Sequence, residues 1–183
     1  THTTTARAVI GAMGSAVVVS AMGVGDQEAC GAALDGRAVC WGAGFYGTAG
    51  FPTNIVGVSD ARQVSFRGAH GCALRATGAV ACWGPNAAGQ LGNGTTTASG
   101  SAVAVSGLAG AVRVAAGTDH TCALRGDGLV FCWGGNAAGQ LGDGTTDART
   151  LPVAAGVRGA VDVWAGTQTT CARLADGRVF CWG

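Results

Sequence analysis

The 183-residue chain has no lysine, only three prolines and a single tyrosine, and charged residues make up just 11% of it. A typical soluble domain carries about 25% charged residues, so most of this surface must be uncharged. Without lysine, a phosphate-binding loop of the Walker type is excluded, because that motif needs its Lys on the phosphates. All basic residues are arginine, 11 against 10 acidic ones, and the net charge of +1 excludes a polybasic nucleic-acid patch as the main purpose of the molecule. Disorder is excluded by the 48% hydrophobic content, since unfolded chains have the opposite mixture. No segment shows a 3.6-residue apolar period with credible caps, which leaves helices without a sequence signal.

What the chain does have is glycine, 34 of them, and a repeat. Cys72-Ala-Leu-Arg-Ala-Thr-Gly-Ala-Val-Ala-Cys82-Trp-Gly-Pro-Asn-Ala-Ala-Gly-Gln-Leu-Gly-Asn-Gly-Thr-Thr96 returns as Cys122-Ala-Leu-Arg-Gly-Asp-Gly-Leu-Val-Phe-Cys132-Trp-Gly-Gly-Asn-Ala-Ala-Gly-Gln-Leu-Gly-Asp-Gly-Thr-Thr146. A third copy runs from Cys171 to Gly183 and a more diverged one from Cys30 to Gly42. Their first cysteines lie 42, 50 and 49 residues apart, about the length of one four-stranded propeller blade. The repeat divides residues 1–183 into one region of four modules, 1–42, 43–84, 85–134 and 135–183. Each reads as four short strands punctuated by Gly, Asn, Asp and Thr. In the third module these are Ala102–Val105, Ala111–Ala116, Thr121–Leu124 and Leu129–Trp133.

All eight cysteines fall into Cys-x9-Cys pairs: Cys30/Cys40, Cys72/Cys82, Cys122/Cys132 and Cys171/Cys181. Each pair brackets a turn, Asp35-Gly36, Thr77-Gly78, Asp127-Gly128 or Asp176-Gly177. A three-residue hairpin loop with glycine in the left-handed position fits these residues. With Ala76-Thr77-Gly78 as the loop, Leu74 faces Val80, Ala73 faces Ala81, and Cys72 faces Cys82 on the same side of the hairpin. Non-hydrogen-bonded partners have Cα atoms about 4.5 Å apart, within reach of a disulfide. Zinc knuckles space their cysteines two to four residues apart, and buried free thiols need no such pairing, so we read four disulfides. Each is worth about 2.5–3 kcal/mol by loop closure, less any strain. Disulfides imply an oxidising location: secreted, periplasmic or cell-surface.

Residues Ala8 to Val24 form an uncharged run after Arg7. It has the look of a signal peptide, but Val9–Gly14 matches Val105–Gly110, and Val17–Gly23 matches Val112–Gly117. We therefore read it as the first two strands of module one, and expect no membrane span. Both ends have the look of a cut from a longer array.

The string Gly-x-Val-x-Cys-Trp-Gly-x-Asn-x-x-Gly-Gln-Leu-Gly-x-Gly, preceded by Ala-Gly-x-x-His-Thr-Cys-Ala-Leu, resembles the RCC1 (regulator of chromosome condensation) repeat. The resemblance implies an all-β fold, a β-propeller of four-stranded blades that is usually seven-bladed. Four modules then make a partial ring or a fragment of one. It also implies a structural repeat loop, Gly89, Gln90, Leu91 and Gly92, with its copy Gly139, Gln140, Leu141 and Gly142. In these loops, together with Gly94 and Gly144, glycine permits close packing, and Leu91 and Leu141 plug between blades. Cysteine pairs of this kind belong to bacterial, exported-looking members. The departures are Gly44-Phe-Tyr-Gly-Thr-Ala-Gly50 in place of the loop in module one, and Arg173-Leu174 in module four.

Chemistry is sparse. His70 and His120 occupy equivalent repeat positions, filled by Glu28 and Thr169 elsewhere, and read as structural; His2 lies outside the repeat. Asp35, Asp127 and Asp176 sit in turns, where Asp bonds its own backbone. Trp41, Trp83, Trp133 and Trp182 recur with the repeat and should pack between blades, whereas Trp164 stands outside the pattern and is a candidate for a surface. There is no nucleophile–base constellation, so we expect no catalytic residue, metal ligand or cofactor. The expected function is a non-enzymatic secreted or cell-surface scaffold that binds a protein or glycan partner, but not nucleic acid, through its loops. Guanine-nucleotide exchange on a small GTPase, the activity of the family's namesake, is the alternative. An open arc of four blades should also self-associate or join further repeats, since its end faces are apolar.

Overall fold

The computed structural model describes residues 9–10, 16–17, 19–24, 28–42 and 52–183. His2 and the Gly44–Gly50 segment lie outside the described residues, as does much of the uncharged run before Val19. Among the described residues all regular structure is β. A short ribbon pairs β1 (Val9–Ile10) with β2 (Ala16–Val17). Four antiparallel sheets follow. The first contains β3 (Val19–Val24), β4 (Glu28–Ala33), β5 (Ala38–Gly42) and β6 (Thr53–Asn54) in that order. The second contains β7 (Ala61–Arg67), β8 (His70–Arg75), β9 (Val80–Gly84) and β10 (Ser99–Ala104). The third contains β11 (Ala111–Ala116), β12 (His120–Arg125), β13 (Val130–Gly134) and β14 (Arg149–Ala154). The fourth has three strands, β15 (Ala160–Ala165), β16 (Thr170–Leu174) and β17 (Val179–Trp182).

The central hairpin of each sheet forms from local signals. Leu74 faces Val80, Ala73 faces Ala81 and Cys72 faces Cys82, as the turn arithmetic requires. The amide of Gly78 donates to the Arg75 carbonyl (3.0 Å), and Gly78 has φ +79°, open to a residue without Cβ. Asp35 and Asp176 accept from the amides of Arg37 and Arg178 (3.1 Å each), the local carboxylate–backbone bond that favours Asp in turns. These bonds, with the guanidinium of the same arginine, hold both carboxyls below their ordinary range.

The hydrophobic core lies in the seams between sheets. Cys30, Ala32 and Cys40 of the first sheet pack on Val64, Phe66 and Trp83 of the second. Cys72, Leu74 and Val80 pack on Val114, Ala123 and Trp133 of the third. Cys122, Leu124 and Val130 pack on Val163 and Ala172 of the fourth. The inner-edge strands follow one another, with β3 on β7, β7 on β11 and β11 on β15, so successive sheets stack as the blades of a propeller.

Two sequence assignments need correction. Ala102–Val105 was expected to open the third module, but β10 pairs with β9, with Val103 opposite Cys82, and so closes the second sheet. Sequence repeat and sheet are therefore out of phase by one strand. The match of Gly23 to Gly117 is also two residues off. Gly23 lies opposite Cys30, the place Ala115 takes opposite Cys122.

Candidate functional site

The four cysteine pairs are disulfides, with Cα separations of 4.0–4.1 Å. Those of the first three sheets are fully buried in the seams, while Cys181 is exposed. A crosslink at this depth ties the middle strands of a blade together where the next blade docks.

The loop after β9 carries the second structural device. Asn86, almost fully buried, accepts from the amide of Leu91 (2.9 Å) and donates to the carbonyls of Thr95 (2.9 Å) and Thr97 (3.1 Å). One side chain thereby satisfies three main-chain groups that the loop cannot pair itself. The Gln90 side chain accepts from Ala88 within the loop (3.0 Å), which leaves its main-chain carbonyl facing the next sheet. There it receives the Trp133 indole N–H (2.8 Å) and the Thr121 hydroxyl (2.9 Å). Leu91 and Leu141 have no exposed surface and sit in the seams. A Cβ on Gly92 would lie 2.7 Å from Trp133 Nε1, and one on Gly142 would lie 2.6 Å from Trp182 Nε1, so only glycine lets the indole approach. The second loop repeats the pattern. Asn136 clamps Leu141, Thr145 and Asp147, and the Gln140 carbonyl receives Thr170 (2.8 Å) and Trp182 (3.0 Å). Gly89 and Gly139 begin the same tight bends, their amides donating to Asn86 and Asn136.

The histidines join this latch. His70 Nε2 lies 2.9 Å from Thr121 Oγ1, whose only proton is committed to Gln90, so His70 is the donor and carries its proton on Nε2. His120 and Thr170 repeat the contact at 2.9 Å. Complete burial pushes His70 down to about 4, with repulsion from His120, where that ring is protonated, as the lesser cause. Burial also lowers His120, against the pull of Asp119, whose Oδ1 is 3.7 Å from Nδ1. Neutral, donor-committed imidazoles are structural groups. Among the described residues, no three His, Cys, Asp or Glu side chains group closely enough to hold a metal.

The inner edge of the sheets has a different character. Each inner strand slips by one residue at the same place, between Ala61 and Gln63, Ala111 and Arg113, and Ala160 and Asp162. Such bulges re-aim side chains. Gln63 uses the slip to bond both main-chain groups of Val114 (2.9 and 3.2 Å). Ser65 accepts from the amide of Ala116 (2.9 Å), and Arg113 pairs with Asp162 (2.9 Å). Along these strands runs a cleft of about 240 Å³, with Trp164, Arg67, Arg113 and Val24 in its walls. Trp164 is 48% exposed, in contrast to Trp83 and Trp133 at 0%.

Sequence reasoning missed Asn86 and Asn136 as loop clamps, although both stand in the repeated string. It also missed Thr121 and Thr170, whose signal was their shared place before the first cysteine. Gln63, Arg113 and Asp162 had no repeat signal, because three different residue types fill one register.

The model for the regulator of chromosome condensation (RCC1) repeat matches residues 77–124 and 127–173, and a second model of the same description matches 111–140. Among curated proteins, none matches the chain. Among solved structures, yeast RCC1 (Prp20), captured bound to Kap60, is 20% identical with a TM-score of 0.79, covering 92% of this chain and 44% of its own. Human WBSCR16 is 25% identical at TM-score 0.72, covering 82% and 43%. The ectodomain of the Physcomitrella patens receptor kinase CR4 is 26% identical at TM-score 0.64, covering 91% and 41%. The chain thus spans less than half the length of these structures.

Proposed function

The chain belongs to the RCC1 repeat family, and on that footing we propose that it is a non-catalytic scaffold, exported to an oxidising compartment, that binds a protein or glycan partner. The observation that carries this reading is the disulfide inside every one of the four hairpins. Cytoplasmic thiol pools keep such pairs reduced, so a chain that builds its seams around them suits secretion, the periplasm or the cell surface. Rigid blades with loops projecting from them suit recognition. The structure of Prp20 with Kap60 and the reported binding of Prp20p to Gsp1p and histones are properties of that protein; they support partner binding as the family's mode of action. Guanine-nucleotide exchange is the reading that remains if the compartment is reducing.

Two measurements test the proposal. Alkylation of denatured, non-reduced protein from its native host should add no mass. Eight alkylated thiols would overturn the exported location and favour the exchange factor. Cross-linking with mass spectrometry should then place partner contacts in the loops at residues 85–98 and 135–148, and contacts confined to the hairpin turns would count against loop recognition.

A further inference from the structure

We propose that Asn93 is a self-modifying site: the Gly94 nitrogen attacks its side-chain carboxamide, expels ammonia and forms a succinimide that water opens to an aspartyl or isoaspartyl residue. The inference concerns the chemistry of one projecting loop and stands whether or not that loop binds a partner.

The dipeptide is the first observation. Asn54, Asn86 and Asn136 are followed by Ile, Ala and Ala, and Asn93 is the only asparagine followed by glycine. Asparagine is among the thermolabile residues, and a glycine after it puts no Cβ in the path of the closing ring. Gly94 and Thr95 are exposed and Asn93 is half-buried, whereas Asn86 and Asn136 are each 1% exposed.

Polarisation is the second. Asn93 Oδ1 accepts from the Thr95 hydroxyl (2.9 Å) and the Thr95 amide (3.1 Å), with Asn86 Nδ2 at 3.5 Å. The Thr95 amide can only donate, so the atom facing it is oxygen and Nδ2 is the group left to depart. Donors on Oδ1 draw charge from Cγ and are placed for the negative charge that develops when a nucleophile adds there. The bond to the Thr95 amide also folds the side chain over the intervening peptide, whose nitrogen is that of Gly94. In the reaction the Gly94 nitrogen gives its proton to hydroxide and bonds to Cγ. The Cγ–Nδ2 bond then breaks, and Nδ2 takes a proton from water and leaves as ammonia. Water next adds to one succinimide carbonyl and opens the ring, so the balance is one water consumed and one ammonia released.

A gate and a product complete the case. The Gly94 amide donates to the carbonyl of Thr150 in β14 (3.0 Å), so the third sheet holds the nucleophile's proton until the loop opens. Asn86 clamps the same loop at Leu91, Thr95 and Thr97. The second loop already carries the aspartyl product: Asp143 accepts from the Thr145 hydroxyl (2.7 Å) and amide (3.0 Å) just as Asn93 does from Thr95. Asp143 also pairs with Arg149 (3.0 Å), which stands opposite Gly134, but the same register opposite Gly84 holds Ser99. Conversion therefore leaves a carboxylate with no arginine in that register and cancels the net charge of +1. The isoaspartyl product runs the main chain through the side-chain carbon. It lengthens the path between Leu91 and Thr95, so it loosens the clamp that the aspartyl product keeps.

The test incubates the intact oxidised chain in warm, mildly alkaline buffer beside a free peptide of residues 88–98. Peptide mapping by mass spectrometry should show a gain of one mass unit at residue 93, divided between aspartate and isoaspartate, and none at the other asparagines. The folded chain should convert about tenfold more slowly than the peptide, because the loop must open first. Asn86→Ala, which frees the loop, should speed conversion about tenfold. Asn93→Gln, with its longer side chain, should stay unconverted, and Asn93→Asp should melt with the parent. No gain at residue 93 after many half-lives of the free peptide overturns the proposal, as does an equal gain at the other asparagines. A rate unmoved by Asn86→Ala overturns the gate, and an Asn93→Asp chain that melts well below the parent overturns the fit of the product. None of these readouts needs a partner, so they are judged separately from the scaffold.

Discussion

The indole nitrogen of Trp133 lies 2.8 Å from the carbonyl oxygen of Gln90, 43 residues earlier in the chain and in the loop of another sheet. Thr121 donates to the same oxygen at 2.9 Å, so both lone pairs of one carbonyl are spent on the neighbouring blade. Trp133→Phe keeps most of the packing and removes one donor, at an expected cost of about 1–2 kcal/mol in urea unfolding. Thr121→Val leaves the buried His70 N–H without an acceptor and should cost about 1–3 kcal/mol. The double variant strips Gln90 of both donors. Its loss should exceed the sum of the two, and simple additivity would show that the carbonyl finds water instead.

The disulfides should act singly. Replacing Cys72 and Cys82 together by alanine opens one short loop, for a loss of about 2.5–3 kcal/mol by the closure-entropy estimate. Thermal melts of this variant against the parent measure it. A loss far below that range would mean that the reduced hairpin is already ordered in the unfolded chain.

Stability should depend on pH through His70. Its folded value, about 4, lies below the ordinary 6.5, so between these limits the unfolded chain binds more protons than the folded one. The contribution is fully present above about 6.5 and lost as pH falls toward 4, by up to about 3 kcal/mol. Buried His120 shifts in the same direction and adds to the slope. Asp143 acts lower. Burial raises it, but hydrogen bonds from Thr145 and Arg149 outweigh that and hold it at about 2, so its part is lost only below the usual carboxylate range. Urea midpoints from pH 7 to 4 should fall for the parent and flatten in His70→Gln.

Asn136→Ala should loosen one loop without opening the sheets. It unpairs the Leu141 amide and the carbonyls of Thr145 and Asp147, for a cost of about 2–3 kcal/mol. Hydrogen exchange at Leu141 should speed up by orders of magnitude while the amides of β12 keep their protection. Equal acceleration in both would show that the loop and the sheet open as one unit.

The hairpins were legible because their information is local. A Gly-containing turn and the two-residue alternation together determine that Leu74 meets Val80 and Cys72 meets Cys82, with nothing left for distant contacts to decide. The owner of β10 was not legible. Ser99–Ala104 lies nearer in the chain to β11 than to β9, and only the pairing of Val103 with Cys82 settles that it closes the earlier sheet. The error at Gly23 has a related cause: in a strand with a two-residue period, shifting the alignment by two residues preserves the alternation of faces. Asn86 and Asn136 were visible as letters of the repeat, but three hydrogen bonds to backbone groups as far as eleven residues away leave no mark on composition. The inner wall was least legible of all, since Gln63, Arg113 and Asp162 share a register and not a chemistry.

The phase offset between repeat and sheet also governs how such an array can be lengthened or shortened. A segment from one loop to the next brings its own Thr and Trp for the blade behind it and its own Gln carbonyl for the blade ahead, so it can be exchanged as a cassette whatever its neighbours. Its first strand, however, is the fourth strand of the preceding sheet. Duplicating or deleting a unit therefore always alters two blades at once, and the permissible cuts are those that leave a Val-Ala strand facing the exposed edge of the hairpin before it.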